Sequence, residues 1–180
     1  MDIEITPKFR VSYPSVFKPK VNTLSKQEEY SVVALFEHKA DSPEFKKLKL
    51  LAEKALIKKW GKDKAAWPKN LKSPFRDQAD REKVVEGKAT MPPGYVKGNV
   101  FINLKSKTKP GVVDQQVKPI LDEAEFYAGC YAIAAITASA YDQAGNRGVA
   151  FYVKNIQKVA EGEPLSGSVK PEDHFAPVDL

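Results

Sequence analysis

Residues 95–107, YVKGNVFINLKSK, alternate so regularly that they fit only an extended conformation. Val96, Gly98, Val100, Ile102 and Leu104 fall on one side, and Tyr95, Lys97, Asn99, Phe101, Asn103 and Lys105 on the other. Strand side chains point alternately to two faces, so if the first set meets a core the second is forced away from it together. The same period recurs along the chain. KFRVSYPSVFKPK sets Phe9, Val11 and Tyr13 against Lys8, Arg10 and Ser12, with a break or bulge expected at Pro14, which has no N–H for a ladder. EYSVVALFEH (29–38) is apolar on both alternations, as in a central strand covered on each face. FYAGCYAIAAITASAY (126–141) reads as a long strand. GVAFYVKNIQKV (148–159) returns along it after a turn containing Asp142, Gly145 and Asn146, with Ala150, Tyr152 and Lys154 on its outer alternation.

One stretch changes period. In DSPEFKKLKLLAEKALIKKW, Ser42 is placed to cap a helix, Pro43 suits its first position and Glu44 its dipole. Phe45, Leu48, Ala52, Ala55 and Leu56 recur at helical spacing, and the lysines between them form a basic outer surface that ends before Gly61. Residues 61–94, with Trp67-Pro68, Ser73-Pro74 and Pro92-Pro93-Gly94, read as irregular chain with one short helix at about 77–86. The tally is a mainly β chain of five principal strands, with a helical and loop insertion over about 42–94 between the second and third. A five-stranded OB-fold barrel fits that count, and an open sheet flanked by helices is the other architecture it permits. This domain is expected to span 1–160, followed by a weakly periodic tail at 161–180.

Charge is distributed unevenly. Residues 1–110 carry 24 basic and 13 acidic side chains, a net of +11, whereas residues 111–180 carry 5 and 10, a net of −5. A basic body suits a polyanionic partner. Catalysis has little support: the two histidines, His38 and His174, lie far apart in sequence, and the glycine-containing stretches match neither a P-loop nor GxGxxG. Cys130, the one cysteine, lies in an apolar run with no cation beside it, so a small core residue in a reducing compartment is expected. The start, MDIEITPKFRVSYP, lacks the pattern of a signal peptide, and no run is apolar and long enough to span a bilayer, so an intracellular protein with no membrane partner is expected.

The outer face of the opening strand combines aromatic rings with cations and amides, which single-stranded nucleic acid binding requires. Tyr95 and Phe101 would stack bases there, while Lys97, Asn99, Asn103 and Lys105, with Lys107 and Lys109 in the following turn, would hold the backbone. Arg147, Tyr152 and Lys154 on the hairpin form a second candidate set. A competing reading puts Tyr95 and Phe101 beneath the insertion as a second small core. Trp60, Trp67 and Phe75, near Lys64, Lys69, Lys72 and Arg76, carry the same two readings.

The turn KPGVVD (109–114), the run FYAGCYAIAAITASAYDQAGNRGVAF (126–151) and NIQKVAEGEPL (155–165) resemble a family of tailed-bacteriophage single-stranded DNA-binding proteins. The resemblance implies an OB-fold that coats single-stranded DNA in phage replication and recombination without sequence preference, in the host cytoplasm. It implies no catalytic residue, metal or cofactor, and phage replication proteins as further partners. Relatives often end in an acidic tail closed by an aromatic residue. Here Glu172, Asp173 and Asp179 are opposed by Lys170, Phe175 lies five places in, and the chain ends in Asp179-Leu180. An RNA-binding or annealing protein on the same fold, a structural phage protein and a nuclease remain the alternatives, and oligomeric state is left open.

Overall fold

The computed structural model describes residues 2–23, 25–165 and 174–179. In chain order its strands are β1 (Glu4–Ile5), β2 (Phe9–Val21), β3 (Glu28–Leu35), β4 (Arg76–Asp77), β5 (Lys83–Val85), β6 (Lys88–Thr90), β7 (Val100–Ser106), β8 (Gly111–Val113), β9 (Tyr131–Gln143) and β10 (Asn146–Ala160). Helix α1 (Lys46–Trp60) lies between β3 and β4. Eight strands share one sheet, and β5 and β6 form a separate hairpin.

The five long strands pair in a ring. β2 runs antiparallel to β3, β3 to β7, and β10 to β9, while β7 and β10 are parallel. The ring returns to its start where Phe9 and Arg10 of β2 pair with Ala132 and Tyr131 of β9. Short β1, β4 and β8 attach to β9, β7 and β10 respectively.

Alternation turns one face of each long strand inward. Val100, Ile102 and Leu104 are buried with Val11, Val32, Ala34, Ile136, Phe151 and Val153 in one core. Helix α1 adds Leu48, Leu51 and Ala52 to it, preceded by Phe45. Burying each of the larger side chains contributes about 1.5–3 kcal/mol. The helix starts as its sequence directs: the Ser42 hydroxyl accepts the Glu44 N–H at 3.3 Å, and Pro43 opens a 3-10 turn that leads into α1. It stops at Gly61 (φ +88°), whose N–H reaches the Ile57 carbonyl at 2.7 Å. Lys46, Lys47, Lys54, Lys58 and Lys59 are exposed, as the helical spacing requires.

Four local readings are corrected. The strand expected over 95–107 spans only Val100–Ser106: a turn precedes it, with the Asn99 N–H reaching the Val96 carbonyl at 3.2 Å and Gly98 at φ +90°, so Val96, expected inward, is 56% exposed. Residues 77–86 are not a short helix: a 3-10 turn at Gln78–Arg81 precedes the β5–β6 hairpin. Val84 and Val85 favour a strand, and Glu86 and Gly87 take the positive φ values (+51° and +78°) that a two-residue hairpin turn needs. The long strand starts at Tyr131 rather than at 126. Residues 126–130 instead tuck Phe126 into the core and pass closely beneath the C-terminal chain, where a Cβ on Gly129 would lie 2.1 Å from the Glu163 carbonyl oxygen.

The bulge at Pro14 is present, and it reverses the alternation. Pairing jumps from Ser12 to Ser15, Tyr13 takes φ +44°, Ser12 is buried and Tyr13 is 59% exposed. The first part of the tail, whose docking the sequence leaves open, lies against the sheet. Arg10 donates to the Glu163 carbonyl at 2.6 Å, the Leu165 N–H reaches Ala128 O at 2.9 Å, and Leu165 packs beside Tyr95 and Phe101. Residues 174–179 are exposed or coil-like at their described positions, and the tail's Lys170, Glu172, Asp173 and Leu180 lie outside the described residues.

Candidate nucleic-acid interface

With Val100, Ile102 and Leu104 in the core, β7 must send Phe101, Asn103 and Lys105 to the opposite face. Register then brings distant segments beside them. Phe101 lies opposite Leu35, Asn103 opposite Val33, and Lys105 opposite Ser31 on β3 and Tyr152 on β10. The Lys105 ammonium stands 5.6 Å from the centre of the Tyr152 ring. This face floors a cleft of about 770 Å³, rimmed by Tyr13, Lys72, Arg76, Arg81 and Tyr141. Four cations and two tyrosines thus meet over one sheet face, an arrangement that can hold phosphates and offer rings to bases.

The expectation that Tyr95 and Phe101 present their rings to solvent is overturned. Phe101 has no exposure and Tyr95 has 6%; with Leu35 they form a second cluster, against which Val33, Met91 and Leu165 pack. The two rings are 6.4 Å apart, and the guanidinium groups of Arg76 and Arg81 each stand 5.1 Å from the Phe101 ring centre. The Tyr95 hydroxyl hydrogen-bonds Ser12 Oγ at 3.0 Å, and burial pushes its phenol pKa up. A covered ring has no face for a base. Phe101 instead supports the arginines that rim the cleft.

Buried Gln78 fixes the insertion over this cluster. Its Nε2 donates to the carbonyls of Phe36 (3.0 Å) and Val100 (2.9 Å), and its Oε1 accepts the Val96 N–H at 2.7 Å. Beside it, Asp77 accepts the N–H groups of Ala79 and Gly98, which hold its carboxyl below the usual range. Lys72 anchors the far end: its N–H donates to Arg147 O at 2.9 Å, and its Nζ to Asn146 Oδ1 at 2.9 Å. Gly148 makes this approach feasible, because a Cβ there would sit 2.5 Å from the Lys72 carbonyl oxygen.

The remaining sequence candidates divide. Asn103 and Lys105 line the cleft, and Tyr152 adjoins it through Lys105. Lys107 and Lys109 are exposed beyond the end of β7, where Lys109 stands 5.7 Å from the Phe17 ring. Lys154 is exposed beside a bulge in β10, and Arg147 is paired with Asp142 at 3.1 Å. Two residues meet the insertion outside the cleft: exposed Lys97 pairs with Glu82 at 3.0 Å, and the Asn99 backbone carbonyl accepts the Gln78 N–H at 2.8 Å. Phe75 is packing, between Phe45 and Phe151. Tyr13, Tyr141 and Arg81 were missed. The pre-proline bulge was the one signal for Tyr13, and only three-dimensional folding brings Tyr141 and Arg81 to the rim.

Among the described residues no group of three or more His, Cys, Asp or Glu side chains could hold a metal, and no helix is long and apolar enough to cross a membrane. Cys130 is fully buried, and burial pushes its thiol pKa up.

The family model described as "Enterobacter phage Enc34, ssDNA-binding protein" matches residues 3–180. Among solved structures, the chain is similar to the single-stranded DNA-binding protein of bacteriophage Enc34 in complex with ssDNA. The TM-score is 0.65 at 17% identity, covering 91% of this chain and 89% of that one. It is also similar to gp2.5, a single-stranded DNA-binding protein encoded by bacteriophage T7, with a TM-score of 0.63 at 15% identity, covering 99% and 97%. No curated protein sequence matches it.

Proposed function

The chain belongs to the Enterobacter phage Enc34 ssDNA-binding protein family, and on that premise we propose that it coats single-stranded DNA without sequence preference through the cleft on β3, β7 and β10. Its ring of pairings, β2–β3–β7–β10–β9, with β7 and β10 parallel, supports reading the sheet as an OB-fold. On that fold the faces of the second and third ring strands bind oligonucleotides, and here those strands are β3 and β7. The observation that carries the proposal is the convergence of Lys72, Arg76, Arg81 and Lys105 with Tyr13 and Tyr141 around one cleft.

The roles follow from chemistry. Arg76, Arg81, Lys72 and Lys105 neutralise phosphates, while Tyr13, Tyr141 and Tyr152 offer rings that accept any base. Asn103 supplies polar contacts on the floor. Lys107, Lys109, Arg147 and Lys154 extend the positive surface at its margins, and Tyr95, Phe101, Lys97 and Asn99 hold the insertion. Binding of this kind needs no cofactor. Its setting would be phage DNA replication and recombination in the host cytoplasm, alongside phage replication proteins.

Fluorescence anisotropy with a labelled oligo-dT over a range of salt concentrations tests the proposal. Each neutralised phosphate steepens the slope of log K against log salt by about 0.7, so four cleft cations give a slope of roughly −3. Absence of binding at low salt refutes it, and tighter binding of oligo-U than of oligo-dT would favour RNA as the ligand.

A further inference from the structure

Behind the chain segment that walls the cleft lies a second groove, about 280 Å³ in volume, between α1 and residues 64–75. Its lining is mostly apolar, with Leu56, Leu71 and Phe75 around the half-buried Trp67. The Trp67 indole is held in place: Nε1 donates to the Gly61 carbonyl at 2.7 Å, and Lys64 Nζ stands over the ring, 5.9 Å from its centre. Lys49, Lys64 and Lys72 also line the groove, although Glu53 pairs with Lys64 at 3.3 Å. Lys72, Ser73, Pro74 and Val149 line both groove and cleft, so the two are separated only by this one segment of chain. That segment is fastened to β10 through the Lys72–Arg147 backbone bond.

The geometry points to an extension of the DNA path: a strand leaving the cleft crosses Lys72–Pro74 and stacks a base on Trp67 in this groove. This inference rests on the reading of the cleft as the DNA site. Three properties favour a nucleotide as the occupant. The groove continues directly from the cleft, its lysines carry charge complementary to a phosphate, and it presents an indole, a π-face that any base can stack on. A tryptophan serving only as an anchor would be covered, whereas Trp67 is partly open. Occupancy of the groove therefore requires a strand longer than the cleft alone accommodates.

The chain has two tryptophans, Trp60 and Trp67, so a Trp60→Phe variant makes Trp67 the sole indole reporter. Oligo-dT of increasing length is titrated while anisotropy and tryptophan emission are recorded together. Short oligomers are expected to bind without changing Trp67 emission, and quenching is expected to begin above a threshold length. In the otherwise native chain, Trp67→Ala is expected to weaken binding of long oligomers about tenfold or more and leave short ones unchanged. Trp67→Phe, which keeps an aromatic face, is expected to restore most of the loss. Unchanged emission with a saturating long oligomer overturns the extension. So does full quenching at the shortest length that binds, or an equal loss of short and long binding in Trp67→Ala. If no oligomer binds at any length, the cleft reading itself fails, an outcome distinct from the loss of the extension alone.

Discussion

Replacing Phe101 and replacing Tyr13 should separate folding from binding, because one ring is covered and the other is 59% exposed. Phe101→Ala removes a fully buried ring from the cluster with Leu35 and Tyr95, and such truncations cost about 3–5 kcal/mol. The loss also takes away the surface over which Arg76 and Arg81 stand. Each of those cation–ring contacts is worth about 0.5–1 kcal/mol at a partly exposed site. Domain stability is typically about 5–15 kcal/mol, so the variant should remain folded in buffer yet unfold at clearly lower urea. Phe101→Leu keeps the apolar volume and removes the π-face, so it should lose about 1–2 kcal/mol.

Tyr13→Ala should behave in the opposite way. It leaves the urea midpoint close to that of the native chain and weakens oligo-dT binding by about 1–3 kcal/mol. Urea unfolding followed by far-ultraviolet circular dichroism, with anisotropy at one fixed salt concentration, reads both quantities on each variant. If Phe101→Ala kept the native urea midpoint while binding collapsed, the ring would be a DNA platform and the packing account would be wrong. If Tyr13→Ala unfolded easily and bound normally, the cleft assignment would be wrong in turn.

Other consequences are equally direct. Arg81→Ala or Lys105→Ala should each reduce the magnitude of the salt slope by about 0.7 with little change in thermal midpoint. Gly148→Ala puts a Cβ 2.5 Å from the Lys72 carbonyl and 2.9 Å from the Tyr141 hydroxyl; about 1–3 kcal/mol of stability should be lost, together with DNA affinity, as read by urea unfolding and anisotropy. Tyr95 has a raised phenol pKa because burial disfavours its phenolate. Its contribution should be complete below the unfolded value of 10.0 and fade as pH climbs past it toward the folded value; urea midpoints measured from pH 8 to 11 should fall less in Tyr95→Phe. Buried Cys130, its pKa also raised, should resist a thiol reagent at neutral pH until urea unfolds the chain.

The sequence carried the parts of the fold that local periodicity governs. Period two assigned Val100, Ile102 and Leu104 inward and Asn103 and Lys105 to the other face, while helical spacing and Ser42-Pro43 located α1. Alternation cannot say what covers the second face of a strand, however. Phe101 and Lys105 share that face, and one is sealed by Arg76, Arg81 and the Tyr95 loop while the other lines the cleft. That difference depends on Gln78 reaching the carbonyls of Phe36 and Val100, a contact no local pattern encodes. Tyr13 escaped for a more local reason, since the bulge at Pro14 reversed the parity on which its assignment depended. The family resemblance, strongest over roughly residues 95–165, supplied the DNA partner that charge alone left open.

The pairing of Phe9 with Ala132 also sets a timetable for synthesis. At about 5–20 residues per second, the first long strand waits roughly 6–25 s for the strand that closes the ring. Until then β2, β3 and β7 form at most an incomplete sheet whose outer edges await β9 and β10. Such distant pairings also slow folding. A growing chain therefore exposes unpaired edges and carries most of its positive charge before its acidic C-terminal part exists, so crowding on the ribosome is the stage at which this fold is most open to misassembly.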